Sequence, residues 1–343
     1  MSFLHKRIQQ HGVVRFCLFG AALFSFVLLS GCLVGDAPSN LLVIATPEIV
    51  QATMLPTPTA ASTPEPTPES TPTPEPTPEA VTGGLLGDRF ADKFSYDGVI
   101  EEPWGYRSDK VSFTVQVVED RDLFNKKIRY YVVDIYVQDI TSLRTGFSRK
   151  QYGAKRQDMV PLARSYNALV AMSGVYYLYQ TNGGIVVQDG VTYREAADSK
   201  DDLCVLYRDG TVATYDLGTY DIDSIAQAGE LWQAWSFGPT LIDRGERRSG
   251  WTMAIANEQA PRAAFGYYEP GHYCLVLCEG RVERAKGLTL DEWAQLMELL
   301  GCETAYNLDG GDTAQLYWQD MRLNATYRDR DTWDIIYIGE PLG

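Results

Sequence analysis

The chain has 343 residues, of which 45 are acidic and 30 are lysine or arginine, and its formal net charge is −15. A protein this acidic repels polyanions, so the composition argues against a nucleic-acid partner. Any phosphate-binding site would need a local basic cluster, because the overall field opposes anions.

The first 32 residues predict export rather than a folded domain. Basic residues at 6, 7 and 15 precede an apolar run over 16–29, and the tetrapeptide Leu-Ser-Gly-Cys ends at Cys32. This order resembles a bacterial lipoprotein signal with Cys32 as the lipid anchor. An uncleaved signal anchor is the alternative, because the apolar stretch is nearly long enough to span a bilayer. Both interpretations predict an extracytoplasmic protein, membrane-anchored at the bacterial cell surface.

Residues 33–95 are predicted to form a disordered stalk rich in threonine, proline and glutamate. Nine prolines lie between Pro56 and Pro78, a pattern that favours polyproline II and cannot build a core. At about 3.1 Å per residue this stretch extends on the order of 70 Å. The folded domain is expected to begin at residue 96.

Residues 96–343 are numerous enough to bury a sizeable core, and we expect an α+β fold with mixed or antiparallel sheets and a few packed helices. The leading segment, 96–150, is strand-rich. Alternating or apolar runs with β-branched and aromatic residues predict strands at Val111–Val118, Tyr130–Val137 and within Tyr193–Thr214, the last with a hairpin at Asp209-Gly210.

Three predicted apolar strands contain, or are followed by, polar, charged or turn-forming residues that are typical of binding sites. These segments are Ser173-Gly174 before two tyrosines, Gly238-Pro239 between large side chains, and Arg262 in a strand whose neighbour begins near His272. Side chains at strand ends on one edge of a sheet cluster in space. We therefore expect Ser173, Arg262 and His272 to converge on one pocket, together with Asn307 and Asp309 from the last such segment.

The segment that ends at residues 307–313 is the most informative part of the chain. Thr289 and Glu292 have the spacing of a capping box, which predicts a helix that ends at Gly301. A short strand at 302–308 then leads into Asn-Leu-Asp-Gly-Gly-Asp-Thr at 307–313. Two adjacent glycines permit positive φ and a close approach of ligand to main chain, so this loop is a candidate site, although an isolated motif of this kind is ordinary turn chemistry.

Taken in order, these motifs resemble the phosphodiester glycosidase family. The matching segments are Ser-Gly-Val-Tyr-Tyr at 173–177, Ser-Phe-Gly-Pro at 236–239, Pro-Arg-Ala-Ala-Phe-Gly at 261–266 and Asn-Leu-Asp-Gly-Gly at 307–311. The resemblance extends from about Val111 to about Ile338. It implies a hydrolase that cleaves sugar-phosphodiester linkages, with a sugar-phosphate polymer of the cell envelope or exopolysaccharide as substrate and with no cofactor.

The chemistry of that reaction needs a carboxylate facing the sugar and cations facing the phosphate. The catalytic candidates are Asp309 as the carboxylate, Arg262 as a planar donor for phosphate, and His272, the one histidine beyond the signal. The substrate-binding candidates are Asn307, Gly310, Gly311, Asp312, Thr313, Ser173 and Gly174. Further candidates are Arg244, Arg247 and Arg248 for phosphate and Tyr176, Tyr177 and Trp235 for stacking on a sugar.

Other functions remain open at this point. A binding module without turnover is suggested by Asp312 and Ala314, because family members usually continue the Asn-Leu-Asp-Gly-Gly motif with Gly-Ser-Ser. A serine hydrolase would use Ser173 with His272, although the glycine-flanked elbow of such enzymes is missing. Oxygens of Asn307, Asp309 and Asp312 also allow a calcium ion, in a loop shorter than dedicated calcium sites use.

Four cysteines follow the stalk, and none has zinc-ligand spacing. Cys274 and Cys278 lie on one predicted strand, about 13 Å apart, too far to pair with each other. A disulfide of either with Cys204 or Cys302, or buried free thiols throughout, both remain possible.

Overall fold

The computed structural model describes residues 84–178, 183–196 and 201–342, all within the compact unit Pro74–Gly343. The predicted signal, the lipid anchor at Cys32 and the proline-rich part of the stalk lie outside the described residues. Within the described ranges, no helix combines the length and the apolar character needed to cross a membrane.

The folded part reaches further toward the N terminus than the predicted boundary at residue 96. Leu86 and Phe94 are buried against Tyr136, and the Leu85 N–H donates to the Gln138 carbonyl at 2.8 Å. Residues 84–95 therefore pack on the domain instead of extending the stalk, because two large apolar side chains find a buried site there.

The described part contains nineteen strands and three α-helices. The strands are β1 (Ile100–Glu102), β2 (Gly105–Arg107), β3 (Val111–Asp120), β4 (Ile128–Val137), β5 (Leu143–Phe147), β6 (Val170–Ser173), β7 (Gly184–Gln188), β8 (Val191–Ala196), β9 (Leu203–Tyr207), β10 (Val212–Tyr215), β11 (Leu231–Ser236), β12 (Thr240–Asp243), β13 (Glu246–Arg247), β14 (Arg262–Glu269), β15 (His272–Cys278), β16 (Thr304–Leu308), β17 (Leu316–Trp318), β18 (Met321–Arg322) and β19 (Asp334–Ile338). The helices are α1 (Met159–Ser165), α2 (Ile222–Ala228) and α3 (Leu290–Leu299).

The strands form three sheets. The orders are β1-β2-β3-β4-β15-β14-β16-β12-β13, β10-β9-β11-β7-β8 and β18-β17-β6-β19-β5. Every pairing between these described strands is antiparallel. The predicted α+β class is confirmed, with antiparallel sheets.

The largest apolar cluster joins the three sheets. Phe265 from β14, Trp235 from β11 and Met172 from β6 all belong to it. A second cluster lies under α3, where Trp293 and Met297 pack on strands of the nine-stranded sheet. The sheets are thus fixed against one another by shared burial, and the strand ends between them are held in place.

Several local predictions are confirmed. The capping box of α3 is formed in both directions, since the Thr289 hydroxyl accepts from the Glu292 N–H at 3.3 Å and the Glu292 carboxylate accepts from the Thr289 N–H at 2.8 Å. Gly301 ends this helix region with φ of 78°, and β9 and β10 form the hairpin predicted around Asp209-Gly210. The four described cysteines are free and buried, and the Cys274 and Cys302 sulfurs lie 3.9 Å apart.

One buried carboxylate ties the sheet to the loop that precedes β19. Glu279, which is fully buried, accepts from the Arg284 Nε and Nη2 at 2.6 and 2.5 Å, from the Tyr131 hydroxyl at 2.9 Å and from the Ala325 N–H at 2.8 Å. Charge-assisted and neutral hydrogen bonds thus satisfy this carboxylate on several sides. It therefore anchors the start of the segment that leads to residue 334.

We expect Glu279→Ala to lower the free energy of unfolding by about 3 kcal/mol, because it leaves the Ala325 N–H without an acceptor and removes the ion pair with Arg284. The exposed neighbour Glu283 provides the matched control, and Glu283→Ala should change stability by less than about 0.5 kcal/mol. Urea unfolding of the two variants measures the difference, and equal stabilities would contradict the anchoring role.

Candidate active site

A cavity of about 600 Å³ lies where β16 ends, and a smaller one of about 210 Å³ adjoins it. Both are lined by Phe237, Ile255, Arg262, Asn307, Asp309 and Arg330. The larger volume is typical of pockets for small ligands. The strand-end loops of all three sheets supply these walls, so the cavity is a consequence of how the sheets meet.

Asn307 is the last polar residue of β16 and is almost completely buried. Its Nδ2 donates to the Gly238 carbonyl at 2.9 Å, which fixes the side chain. Its Oδ1 has no hydrogen-bond partner among the described residues. Since an unpaired buried acceptor is costly, this oxygen is suited to receive a hydroxyl or amide of a ligand.

Asp309 follows β16 directly and lines both cavities. Its main-chain N–H donates to the Gly174 carbonyl at 3.0 Å. Burial raises the pKa of Asp309 to about 6, against the opposing effects of the Arg330 charge, the Thr313 hydroxyl and the Arg156 charge. Removal from water therefore outweighs these stabilising neighbours, and the carboxyl becomes a base whose pKa lies near neutral pH.

A second carboxyl lies beside Asp309 and has no counterpart among the predicted residues. Asp334, at the start of β19, is 2% exposed, and its carbonyl accepts from the Gly174 N–H at 3.1 Å. A Cβ at position 174 would lie 2.9 Å from the Asp334 Cγ and Oδ1. Gly174 is therefore required by close packing against this carboxyl, which is a structural reason for the predicted importance of Gly174.

The two glycines of the loop serve the protein's own main chain. A Cβ on Gly310 would lie 2.7 Å from the Pro261 carbonyl oxygen, and the Gly311 N–H donates to the same oxygen at 2.9 Å. Gly311 has the expected positive φ, at 62°. The Gly311 amide is thus bonded within the fold.

Asp312 and Thr313 occupy the far side of this loop. Asp312 lines only the smaller of the two cavities, and its Oδ1 lies 3.7 Å from the Arg281 Nη1. Thr313 is buried, and its hydroxyl lies near the Asp309 carboxyl. The loop thus brings a charged pair to the smaller cavity and a hydroxyl to Asp309.

Arg262 lies at the cavities, but most of its donor fork is occupied. Its Nε donates to the Leu288 carbonyl at 2.9 Å, and its Nη2 donates to the carbonyls of Ile255 and Glu258 at 3.0 and 2.9 Å. Burial and the nearby Arg281 charge lower its pKa to about 10, so it remains a cation at neutral pH. Its predicted role as a two-pronged phosphate donor needs correction, since it braces the 255–258 turn.

The cations nearest Asp309 were missed by the sequence analysis. Arg330 is exposed at the mouth of both cavities, and Arg281 lines the smaller one. Arg156 lies over the Trp333 ring at 5.6 Å, and that ring stacks on Tyr176, which lines the larger cavity. Arg330 lies in an Arg-Asp-Arg-Asp run at 328–331 that is typical of a solvated loop. Such a run does not indicate a binding residue.

Asp201 is another acid that the sequence analysis missed. It lines the larger cavity, and burial together with the neighbouring Asp202 charge raises its pKa to about 6, opposed by Arg194. The cavity therefore contains two carboxyls of similar proton affinity, carried by different sheets.

His272 does not join this site. It begins β15 opposite Glu269, whereas Arg262 at the other end of the same hairpin pairs with Cys278, a separation of roughly 20 Å along the strands. His272 instead bonds to Asp134 at 2.8 Å and stacks between Tyr136 and Tyr268. The predicted convergence is wrong for His272, because His272 and Arg262 lie at opposite ends of the β14–β15 hairpin and only the Arg262 end reaches the cavities.

Ser173 is close to the site but not in it. It is fully buried and its hydroxyl accepts from the Gln315 N–H at 3.2 Å. A nucleophilic Ser173 paired with His272 is excluded by this placement. Other predicted contributors also lie elsewhere: Tyr177 and Trp235 are buried in the core, and Arg247 and Arg248 pair with Glu298, Asp216 and Asp243.

The family model described as phosphodiester glycosidase matches residues 166–338, which include every strand that lines the cavities. The chain belongs to the phosphodiester glycosidase family. The match begins at β6, so the leading strands β1–β5 lie outside it, in contrast to the expected start near Val111.

Two known proteins are similar to this chain. The SPbeta prophage-derived uncharacterized protein YomE of Bacillus subtilis (strain 168) is 28% identical over 177 residues, which are 49% of this chain and 27% of YomE. The catalytic domain of zebrafish N-acetylglucosamine-1-phosphodiester alpha-N-acetylglucosaminidase, auto-inhibited by its pro-peptide, superposes with a TM-score of 0.56 at 19% identity, covering 68% of this chain and 84% of that one. The second likeness shows a shared fold.

Among the described residues, no three histidine, cysteine, aspartate or glutamate side chains are grouped as metal ligands.

We expect Gly174→Ala to destabilise the protein by about 1–3 kcal/mol, because the new methyl group overlaps the Asp334 carboxyl. The same substitution in an Asp334→Ala background should cost much less, since the overlapping atoms are gone. Thermal or urea unfolding of the two single variants and the double variant measures this coupling. Additive effects would contradict the contact.

Proposed function

We propose that this protein is a hydrolase that cleaves sugar-phosphodiester linkages at the bond between the anomeric carbon and the phosphate oxygen. The observation that carries the proposal is the desolvated Asp309 carboxyl, which lies between a sugar-sized cavity and a smaller cavity bordered by arginines. Family membership supports the same reaction.

The reaction places different demands on the two sides of the bond. The leaving group is a phosphate monoester, which is stable as an anion and needs little protonation. Positive charge grows at the anomeric carbon as the bond breaks, and a nearby carboxylate stabilises it. Water then adds to that carbon and gives its proton to Asp309, so the products are a free sugar and a phosphate monoester.

The phosphate side is supplied by Arg330 and Arg281. Both arginines border the smaller cavity, and among the described residues the Arg281 guanidinium makes loose ion pairs of 3.6 and 3.7 Å to Glu258 and Asp312. Loose pairs at a partly exposed cation can exchange for a phosphate oxygen at small cost. The local positive charge offsets the acidity of the chain as a whole.

The sugar side is supplied by the larger cavity. The free Oδ1 of Asn307 can accept from a sugar hydroxyl, and Tyr176 presents a ring backed by Trp333 at 5.4 Å. Aromatic rings and a few fixed polar groups are the usual walls of such pockets. Asp201 provides a second acid whose protonation changes near neutral pH.

We also propose where the protein is located and which polymer it acts on. A lipid at Cys32 and a proline-rich stalk would place the domain outside the cytoplasm, at the bacterial membrane, within reach of an envelope or exopolysaccharide polymer with sugar-phosphate links. A calcium ion at the loop oxygens is compatible with the hard-ligand chemistry of Asp309 and Asn307.

We expect Asp309→Asn to lower turnover of sugar-1-phosphodiesters by about 10²-fold or more while binding changes only a few-fold, because the lost charge acts mainly in the transition state. Asp320→Asn, at an exposed acid away from both cavities, is the matched control and should leave turnover unchanged. Release of free sugar and calorimetric binding measure the two effects. Binding without turnover, both in the wild type and after Asp312→Gly, would instead favour a binding module.

We expect kcat/KM to fall as the pH decreases through about 6, because a carboxyl whose pKa is raised to that value loses its basic form there. The same acidic limb should persist in Asp201→Asn, which removes the other cavity acid with a similar pKa. Rates measured from pH 4 to pH 8 (about two decades of proton concentration on each side of the midpoint) test this assignment. A limb that disappears in Asp201→Asn would assign it to Asp201.

A further inference from the structure

A third cavity, of about 410 Å³, is not used by the reaction proposed above. Its walls are formed by Lys127, Val282, Glu283, Arg284 and Ala325. These walls carry two cations and one acid, in a chain whose overall charge is −15. A local excess of cations is what a phosphate-binding site requires in so acidic a protein.

Two segments connect this cavity to the smaller of the two cavities at Asp309. In the turn that follows β15, Arg281 lines the smaller cavity and Arg284 lines the third. In the loop that precedes β19, Arg330 lines the smaller cavity and Ala325 lines the third. Because Arg281 and Arg284 are three residues apart, their Cα atoms are separated by at most about 11 Å. The third cavity therefore lies next to the arginines on the phosphate side of the site.

The two walls of the third cavity are fixed to each other. The buried Glu279 carboxylate accepts from the Arg284 guanidinium on one wall and from the Ala325 N–H on the other. The Lys286 N–H donates to the Lys127 carbonyl at 3.2 Å, so the lysine is joined to the same turn. The cavity is thus formed before a ligand binds, which lowers the entropic cost of binding.

Lys127 is the cation in these walls that is available to a ligand. Arg284 is committed to Glu279 through two hydrogen bonds of 2.6 and 2.5 Å. Lys127 is exposed, so its ammonium can bind a phosphate without breaking a buried contact. Glu283 is exposed as well, and its charge opposes an anion in the same cavity.

An exposed aromatic ring lies between the two cavities along the loop that precedes β19. Tyr327 is 58% exposed, and the Arg328 guanidinium carbon lies 5.2 Å from the centroid of its ring. Ala325 at the third cavity precedes this pair in the chain, and Arg330 at the smaller cavity follows it. An aromatic ring beside a cation can pack on the face of a sugar that carries phosphate.

We propose that the third cavity is a second phosphate subsite. Lys127 binds the phosphate that follows the cleaved linkage, and Tyr327 packs on the sugar between the two phosphates. The direction of the chain rests on the proposed function, which places the cleaved phosphate at Arg281 and Arg330. The substrate is then a polymer with phosphates on consecutive sugar units, and the leaving group is a sugar that carries two phosphates. Two phosphates held by one rigid sugar bind with a gain in effective concentration.

Calorimetric binding to the full-length chain tests this subsite without turnover. The probes are inorganic phosphate, glucose 6-phosphate and glucose 1,6-bisphosphate, which add first a sugar and then a second phosphate. We expect the bisphosphate to bind at least about tenfold more tightly than inorganic phosphate, because ring packing and a charge-assisted contact are both added.

Three substitutions should separate these contributions. Lys127→Ala should remove the advantage of the bisphosphate over glucose 6-phosphate. Tyr327→Ala should weaken both sugar phosphates by about fivefold and leave inorganic phosphate unchanged, since only the sugar contacts the ring. Glu283→Gln should tighten the bisphosphate, because it removes a like charge.

The matched controls are Lys110→Ala and Tyr96→Ala. The Lys110 side chain is 52% exposed and Tyr96 is 64% exposed, and neither is among the described residues that line the three cavities. Both variants should keep all three affinities. The proposal is overturned if the bisphosphate binds no more tightly than inorganic phosphate, or if Lys127→Ala or Tyr327→Ala behaves like its control. It is also overturned if Lys127→Ala weakens inorganic phosphate as much as the bisphosphate, because the cavity would then accept any free anion.

Turnover of a methyl sugar-1-phosphodiester distinguishes this inference from the proposed function. That substrate has no sugar beyond its phosphate, so Lys127→Ala and Tyr327→Ala should leave its kcat/KM unchanged, and a loss in either variant would contradict a separate subsite. A wild type that releases no sugar from it would count against the proposed function, whereas the bisphosphate affinities decide the subsite by themselves.

Discussion

At the end of β6 the main chain of Gly174 lies between two acids, with the Asp309 N–H bonded to its carbonyl and its own N–H bonded to the Asp334 carbonyl. These two hydrogen bonds join the end of β16 in the nine-stranded sheet to β6 and β19 in a five-stranded sheet. Only a glycine fits, because any Cβ would overlap the Asp334 carboxyl. The depth of the cavity and the desolvation of Asp309 both follow from how closely the two sheets approach there.

The site is surrounded by residues that hold loops rather than ligands. Arg262 donates to three main-chain carbonyls around the 255–258 turn, and Glu279 binds the Ala325 N–H at the start of the loop that carries Arg330. Such bracing is what allows a cavity to keep unpaired polar atoms such as the Asn307 Oδ1. The stability lost at those atoms is offset by the buried charges and apolar clusters behind them.

Family membership and fold similarity have different weight for function. The zebrafish catalytic domain shares the fold at 19% identity, and a fold alone is compatible with many activities. Support for the proposed hydrolysis therefore comes from the site, where a desolvated carboxyl, two arginines and an amide oxygen without a partner among the described residues converge. Asp312 is the local departure from the family motif, and its Oδ1 lies 3.7 Å from the Nη1 of Arg281, one of the two cations proposed to bind the phosphate.

The sequence by itself determined much of the local structure and part of the site. Capping at Thr289, the hairpin at Asp209-Gly210 and the strand before Asp309 are short-range effects, because they depend on residues a few positions apart. Asn307 and Asp309 were predicted from the sequence because a polar cluster after an apolar strand is a local pattern. The order of the family motifs along the chain supported the same two residues.

Only the tertiary structure decided which distant residues meet these two. It brought in Arg330, Asp201 and Asp334, and it left out His272, because strand register and sheet order determine which end of a strand reaches the cavity. It also changed the role of Arg262, whose donors are used by carbonyls from turns that no local pattern connects to it. The physical reason is that pKa, charge pairing and hydrogen-bond satisfaction depend on burial and on neighbours across sheets, and neither is encoded in the spacing of residues along the chain.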